Sequence, residues 1–207
     1  MSHYRKLTTG LIAGWFAFSL VASALHLFKT GPDQPPLALG LAALMPVAVF
    51  LVWSALSPPF RTFALSLDTR TLTRVHSLRF VGFVFLVLAT YGILPRVFAW
   101  PAGWGDIAMG VTASFVAVKL ANPDHRRSFI AWQLLGITDL VLAVSLAALA
   151  GVLDPQGIPT TPMTILPLSL IPTFGVPFLL ILHLISIAQA RQWRVDVPSR
   201  IANAATA

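Results

Sequence analysis

The chain has 207 residues, of which 57% are hydrophobic and 10% are charged, and its mean hydropathy is +0.80. A chain of this composition has more apolar surface than a soluble domain of the same size can bury. We therefore predict an all-α, polytopic integral membrane protein. The absence of cysteine excludes disulfides, thiolate catalysis and thiolate metal ligands.

Six apolar runs follow one another along the chain, separated by short segments that contain helix breakers or charges. Each run is long enough to cross about 30 Å of hydrocarbon as a helix. We predict a single transmembrane domain over 1–190 and a short polar cytoplasmic tail over 191–207. The six predicted transmembrane helices cover residues 9–28, 37–56, 77–94, 102–121, 129–150 and 164–189.

Lysine and arginine residues are distributed unequally between the two sides of this topology. Only Lys29 and Arg96 lie on the outer side, and Arg79 stands inside the third span. Because positive residues near span ends are retained in the cytoplasm, both termini are predicted to be cytoplasmic, in a bacterial-type plasma (inner) membrane. The net charge of +7 has the same origin, so nucleic-acid binding is not predicted. The cytoplasmic set is Arg5, Lys6, Arg61, Arg70, Arg74, Lys119, Arg126, Arg127, Arg191, Arg194 and Arg200.

The first span admits a second interpretation. Arg5 and Lys6 precede an apolar run that reaches Ala22, Ser23 and Ala24, as in a secretory signal peptide with its cleavage site. The apolar stretch continues beyond Ala24 to Phe28, which favours a retained span.

Two polar residues lie near the outer ends of the predicted spans. His26 closes the first span and Arg96 precedes the fourth, so we predict that they line an outer vestibule if their helices are neighbours.

Arg79 opens the third span. It either extends to the cytoplasmic headgroups, as arginines near span ends commonly do, or points inward towards Gln133 and His183.

Asp106 lies in the fourth span on a helical face of small residues, which includes Gly103, Gly110 and Ala113. Small residues let helices approach closely, so this face is expected to point into the bundle. The alternative is that Asp106 lies in the first turn of its helix and caps backbone N–H groups there.

Asp139 lies about ten residues into the fifth span, near the middle of the bilayer, where a carboxylate is costly. An ionised Asp139 needs an arginine, lysine, histidine or water as a neighbour, whereas a neutral one is suited to proton exchange. Gln133 precedes it on the same helix. The alternative is a protonated carboxyl that only holds helices together.

The sixth span contains Pro167, Pro172 and Pro177, each of which removes a backbone N–H donor. Together with Gly175 they predict a kinked or moving helix. His183 follows in the inner third of this span, where it is either a packing group or a ligand. The complete predicted ligand or proton site consists of Asp139, Asp106, His183, Gln133 and Arg79.

No particular cofactor follows from these residues. A bis-histidine haem needs two imidazoles at one depth, whereas His26 is outer and His183 is inner. His76 and His125 are interpreted as headgroup or loop residues at the cytoplasmic edge, and with His183 they leave a haem as an open alternative. Glutamate is absent, and no zinc, hydrolase or nucleotide motif occurs, so neither a metal site nor enzymatic activity is predicted.

The sequence favours a small transporter or channel for a proton or a small solute that uses its intramembrane carboxylates. Two other hypotheses remain open: a non-catalytic accessory subunit of a membrane complex, and a membrane enzyme or receptor that binds a lipid, quinone or haem between its helices. The expected surroundings are the lipid bilayer. Because a bundle of six helices has little interior space, a homodimer or a larger membrane complex is a further possibility.

Overall fold

A computed structural model describes residues 2–31 and 36–193. Within these residues the chain is helical and contains no strand, which confirms the all-α prediction. The predicted tail from residue 194 onward lies outside the described residues. The helices are α1 (Ser2–Ala24), α2 (Leu37–Leu56), α3 (Pro58–Leu65), α4 (Thr69–Thr90), α5 (Arg96–Lys119), α6 (Arg126–Leu153) and α7 (Ile171–Gln192).

Capping residues explain where α3 and α4 begin. The Asp68 carboxylate accepts hydrogen bonds from the backbone N–H of Thr71 at 2.8 Å and from its hydroxyl at 2.6 Å, which caps α4. Ser57 caps α3 in the same way. Helix α4 therefore begins eight residues before the predicted third span, and this extension brings His76 inside a helix.

Helix α5 also begins earlier than the predicted fourth span. It starts at Arg96, directly after Pro95, and Pro101 lies in its second turn. Asp106 is therefore almost three turns from the helix start, at about 3.6 residues per turn. The interpretation of Asp106 as a first-turn cap is wrong, because the first turn of α5 contains no acidic residue.

Two helices depart from regular α geometry along part of their length. Helix α4 consists of two α-helical segments joined by a 3₁₀ segment, His76–Gly82, and α7 opens with a π-helical turn, Ile171–Gly175. A 3₁₀ stretch in the middle of a helix often marks a hinge or a sequence under strain, and single π-helical turns frequently occur at functional sites. The turn in α7 contains Pro172 and Gly175, and Pro177 follows it in the first α-helical turn.

The later helices form an antiparallel bundle with α4 and α7 at its centre. Helix α4 packs against α5, where Ser77 and Ser114 lie 3.2 Å apart, and against α7, where Thr69 donates to Gln189 at 2.8 Å. Helix α5 contacts α6 through a hydrogen bond from Trp132 to Thr112. Helix α6 in turn packs against α7.

Helix α1 lies at the periphery, where it contacts α2, α3 and α7. Pro177 has no N–H to donate to the carbonyl of Thr173, so this carbonyl lacks the backbone partner it would have in a regular α-helix. It accepts hydrogen bonds from Trp15 Nε1 at 3.0 Å and from Ser19 Oγ at 3.3 Å. A backbone carbonyl of α7 that lacks its regular helical partner therefore provides one attachment point for α1.

Five helices among the described residues are long and apolar enough to cross a membrane, namely α1, α2, α4, α6 and α7. Helix α5 has 24 residues, enough to span, but it is not among these five. Large apolar side chains cover the outside of the bundle; Phe18, Leu44 and Leu135 are each more than 60% exposed. The fold is therefore compatible with a membrane protein.

Candidate functional site

Arg79 occupies the centre of the bundle and binds two aspartates from neighbouring helices. Its Nε donates to Asp106 Oδ1 on α5 at 2.7 Å, and its Nη2 donates to Asp139 Oδ2 on α6. Its Nη1 donates to the carbonyl oxygen of Gly136 at 3.4 Å. We call Arg79, Asp106 and Asp139 the charge cluster. It joins three helices through one guanidinium, so the interpretation of Arg79 as a headgroup ligand is wrong.

Close backbone approach makes the charge cluster fit between the helices. A Cβ atom on Gly105 would overlap the Asp139 carboxylate, and one on Gly82 would overlap the Asp106 side chain. The 3₁₀ segment of α4 carries both Arg79 and Gly82, so the guanidinium and the space for its partner come from the same turn. Glycine at these points allows each carboxylate to lie against a neighbouring helix backbone.

The charge cluster is unbalanced if both carboxylates are ionised. It then contains one positive and two negative charges, and the guanidinium is 1% exposed while each carboxylate is 17% exposed. An uncompensated charge in a low-dielectric interior is unfavourable, so one proton or one monovalent cation is needed for neutrality. The carboxylates are the partly exposed members of the cluster, whereas the guanidinium is enclosed.

A pair of stacked imidazoles lies one turn of α4 away from Arg79. The rings of His76 and His183 have centroids 3.9 Å apart at an interplanar angle of 23°, and both residues are fully buried. The Trp132 ring lies nearly perpendicular to that of His76, with 5.8 Å between the ring centroids. His183 Nδ1 donates to Gln133 Oε1, and this bond leaves the lone pair on Nε2 free in the neutral ring.

Several polar atoms around the imidazole pair have no partner. Within residues 2–31 and 36–193, both ring nitrogens of His76, Nε2 of His183 and Oγ of Ser186 are buried without a hydrogen bond. Buried polar groups are normally satisfied, because leaving one unpaired costs about 1–3 kcal/mol. Four buried polar atoms around the imidazole pair are therefore without a partner among the described residues.

Gly136 connects the imidazole pair with the charge cluster. Its carbonyl accepts from Arg79, and its Cα lies so close to the His183 ring that a Cβ atom would overlap Cε1 and Nε2. The two groups are therefore separated by a single backbone unit of α6.

The structure brings together the residues predicted to form the ligand or proton site. Asp139, Asp106 and Arg79 make the charge cluster, while Gln133 and His183 form the adjoining hydrogen-bonded pair.

The structure does not bring the two residues of the predicted outer vestibule together. His26 is exposed just after α1, and Arg96 is exposed at the start of α5 with its guanidinium 6.0 Å from the Trp100 ring. Among the described residues, no hydrogen bond joins His26 to Arg96.

The predicted kink residues fall into two groups. Pro172 and Gly175 lie within the π-helical turn and Pro177 directly after it, whereas Pro167 lies in the non-helical turns that precede α7. The helical part of the sixth predicted span therefore begins at Ile171 instead of residue 164.

His76 is the main site residue that the sequence analysis missed. Its assignment to a headgroup or loop position followed from starting the third span at residue 77. The segment Asp68–Thr69–Arg70–Thr71 carries the signal that corrects this start, since aspartate is a preferred N-cap residue. A helix beginning at Thr69 places His76 and Arg79 three residues apart on one face.

Neither a metal centre nor a bis-histidine haem follows from this geometry. Among the described residues, no group of three or more histidine, aspartate or glutamate side chains is arranged to hold a metal ion. The His76 and His183 rings lie face to face, whereas the axial ligands of a haem approach the iron from opposite sides of the porphyrin plane.

The chain belongs to the family described as a domain of unknown function (DUF8737), which it matches over residues 36–191. This range includes every residue of the charge cluster and the imidazole pair, whereas α1 precedes it. No curated protein and no solved structure matches the chain.

Proposed function

We propose that this member of the DUF8737 family is a six-span membrane transporter or channel that binds a proton or a small cationic solute at the charge cluster. The observation that carries the proposal is the sharing of one enclosed guanidinium by two partly exposed carboxylates. Ionisable residues inside a membrane are costly and commonly serve a substrate, ion or proton pathway.

The packing of α5 supports the count of six spans. Its 24 residues extend for about 36 Å, and it lies antiparallel between α4 and α6. Contacts with α4 run from Ser114 beside Ser77 to Gly103 beside Leu86. A helix packed in this way between two membrane spans crosses the same hydrocarbon, and its polar face is covered by its neighbours.

The distribution of basic residues supports the orientation in this proposal. With six spans, the positive-inside rule places both termini in the cytoplasm of a bacterial-type cell. The start of α4 at Thr69 and the last turn of α7 around Gln189 face the same side. Arg70, Arg74 and Arg191 lie near those ends. Lipid then covers the exposed apolar surface of α1, α2, α5 and α6.

Charge balance explains how binding works. One proton on Asp106 or Asp139, or one monovalent cation between them, neutralises the charge cluster while Arg79 keeps its charge. Because the carboxylates compete for the same guanidinium, loss of the ligand restores an unbalanced negative charge that attracts the next one. Reversible neutralisation of this kind is what a proton-coupled carrier requires.

The test is proton flux into proteoliposomes, measured with an enclosed pH-sensitive dye under an imposed membrane potential. We expect Asp139→Asn to reduce the flux by about tenfold or more. The same substitution leaves Arg79 paired with Asp106 in a neutral arrangement, so the thermal midpoint is expected to stay equal or rise. Asp124→Asn, an exposed change of the same chemistry, is the matched control and should keep wild-type flux.

The alternative is an accessory subunit in which the charge cluster only holds α4, α5 and α6 together. The enclosed guanidinium, with donors to three acceptors, is the observation that favours it. It predicts no proton flux by the wild type, together with a lower thermal midpoint and reduced expression of Asp139→Asn. That result would overturn the transport proposal.

A further inference from the structure

Helices α4 and α7 face each other with polar side chains along one stretch of their interface. Thr69 pairs with Gln189 at one end and His76 stacks on His183 at the other. Thr73 and Ser186 occupy the register between these contacts, and both are fully buried. We call these six side chains the polar seam.

The polar seam is more than a packing device. On α4 its members follow the spacing of one helical face, and Arg79 continues that face by one further turn. Apolar side chains of similar volume would pack at the same positions without burying unpaired hydrogen-bonding atoms. The chain instead retains buried atoms without partners at His76, His183 and Ser186, among the residues that the structure describes.

One end of the polar seam reaches the end of the bundle. Gln189 Nε2 donates to the carbonyl oxygens of Leu65 at 3.2 Å and Leu67 at 2.7 Å, which lie at the end of α3 and in the connection to α4. Thr69 is only partly buried there. The polar atoms of the seam therefore begin at a surface and not inside the core.

The other end of the polar seam meets the charge cluster. His183 packs against Gly136, whose carbonyl accepts from Arg79 Nη1. The charged and titratable groups around the imidazole pair are Arg79 on α4, Asp106 on α5 and Asp139 on α6. With one added proton this whole group is neutral, whether a carboxyl or an imidazole carries that proton.

The far side of the charge cluster is closed by apolar side chains. Leu86 covers Gly103 directly beyond the cluster. Further out lies a core that we call the Phe85 core, made of Phe85, Ala89, Leu94, Phe98, Ala99, Ala102 and Met163.

We infer that the polar seam is the route by which protons travel between the Thr69 and Gln189 end of the bundle and the charge cluster. This inference rests on the proposed function. A proton enters past Gln189, passes the hydroxyls of Ser186 and Thr73, and converts one imidazole of the pair into imidazolium. The imidazolium then returns to neutral imidazole as its proton moves to a carboxylate of the cluster, and Arg79 stays protonated throughout.

The test is the double variant Thr73→Val and Ser186→Ala, in which both hydroxyls are lost with little change in volume. Its matched control is Thr90→Val and Ser145→Ala. Thr90 donates to Leu86 O at 2.8 Å just as Thr73 donates to Thr69 O, and Ser145 donates to Val141 O at 2.8 Å, but both lie outside the polar seam. We expect proton flux to fall about tenfold in the seam variant and to stay at the wild-type rate in the control.

Two measurements separate failure of this inference from failure of the proposed function. Wild-type flux that persists in the seam variant would overturn the route but leave the charge cluster as the binding site. If the wild type carries no flux, infrared spectroscopy of the Asp106 and Asp139 carboxyl bands after transfer to D₂O tests the route directly. Exchange slower by about tenfold in the seam variant supports the route. Equal exchange rates in both double variants overturn it.

Discussion

Arg79 divides α4 into two halves with different surroundings. The half from Thr69 to His76 faces α7 with hydroxyl and imidazole groups, whereas Phe85 and Ala89 in the other half pack into the apolar Phe85 core. Both halves belong to one helix of 22 residues. The difference teaches that burial alone does not decide which residues fill this interior, because equally buried positions carry opposite chemistry on the two sides of one guanidinium.

The largest effect on stability is expected when the Arg79 guanidinium, which lies between the two halves of α4, is removed. Arg79→Gln leaves two carboxylates close together without a positive partner, and loss of one partner of a buried ion pair costs about 3–5 kcal/mol. We expect a large fall in the thermal midpoint in detergent or lipid. Addition of Asp139→Asn to the same chain should recover much of the loss, since only one carboxylate then remains. A variant as stable as the wild type would contradict the central role of Arg79.

A smaller effect on stability is expected from a substitution that adds an atom beside the charge cluster without changing its charge. Gly105→Ala places a Cβ atom into the Asp139 carboxylate, so that side chain must move away from Arg79. Overpacking of this kind costs about 1–3 kcal/mol. Gly151→Ala is the matched control on α6, because a Cβ atom there meets no other atom within 4 Å.

The control should be neutral or stabilising by up to about 1 kcal/mol, since alanine favours helix more than glycine does. Thermal unfolding of the two variants side by side measures the contrast. Equal midpoints would mean that the close approach of α5 and α6 at Gly105 does not position Asp139.

The smallest effect on stability is expected at Asp68, which caps α4 at the start of its Thr69–His76 half. The hydroxyl and the N–H of Thr71 donate to the Asp68 carboxylate and hold its pKa below the usual value of 3.8. A lowered folded-state pKa means that this stabilisation is fully present above the ordinary pKa and is lost as the pH falls through the folded-state value. The cap therefore stays intact at neutral pH.

Asp68→Ala should lower the free energy of unfolding by about 1 kcal/mol at neutral pH, and Asp68→Asn by less, because asparagine also caps helices well. The difference between Asp68→Ala and the wild type should shrink in strongly acidic buffer. A difference that is independent of pH would show that the carboxylate charge does not contribute to the cap.

The inward-facing side of α5 could be predicted from the sequence, whereas the residue at which the helix begins could not. The spacing of Gly103, Asp106, Gly110 and Ala113 was sufficient to predict that this face points into the bundle, and the structure places Asp106 there. The start of the helix at Arg96 could not be predicted from hydropathy, because the residues from 96 to 101 include arginine and proline. Helix starts depend on local capping and on tertiary contacts that cover polar residues, and hydropathy reports neither.

The sequence by itself determined that this protein is helical and rich in apolar helices, that α2 covers residues 37–56, and that Asp139 needs a partner. These properties follow from composition and from the period of the helix, which any stretch of chain carries locally. Only the tertiary structure decided that the partner is Arg79, that Asp106 shares it, and that His76 stacks on His183. Helical periodicity states which residues share a face, whereas the choice of the opposing face depends on how separate helices pack.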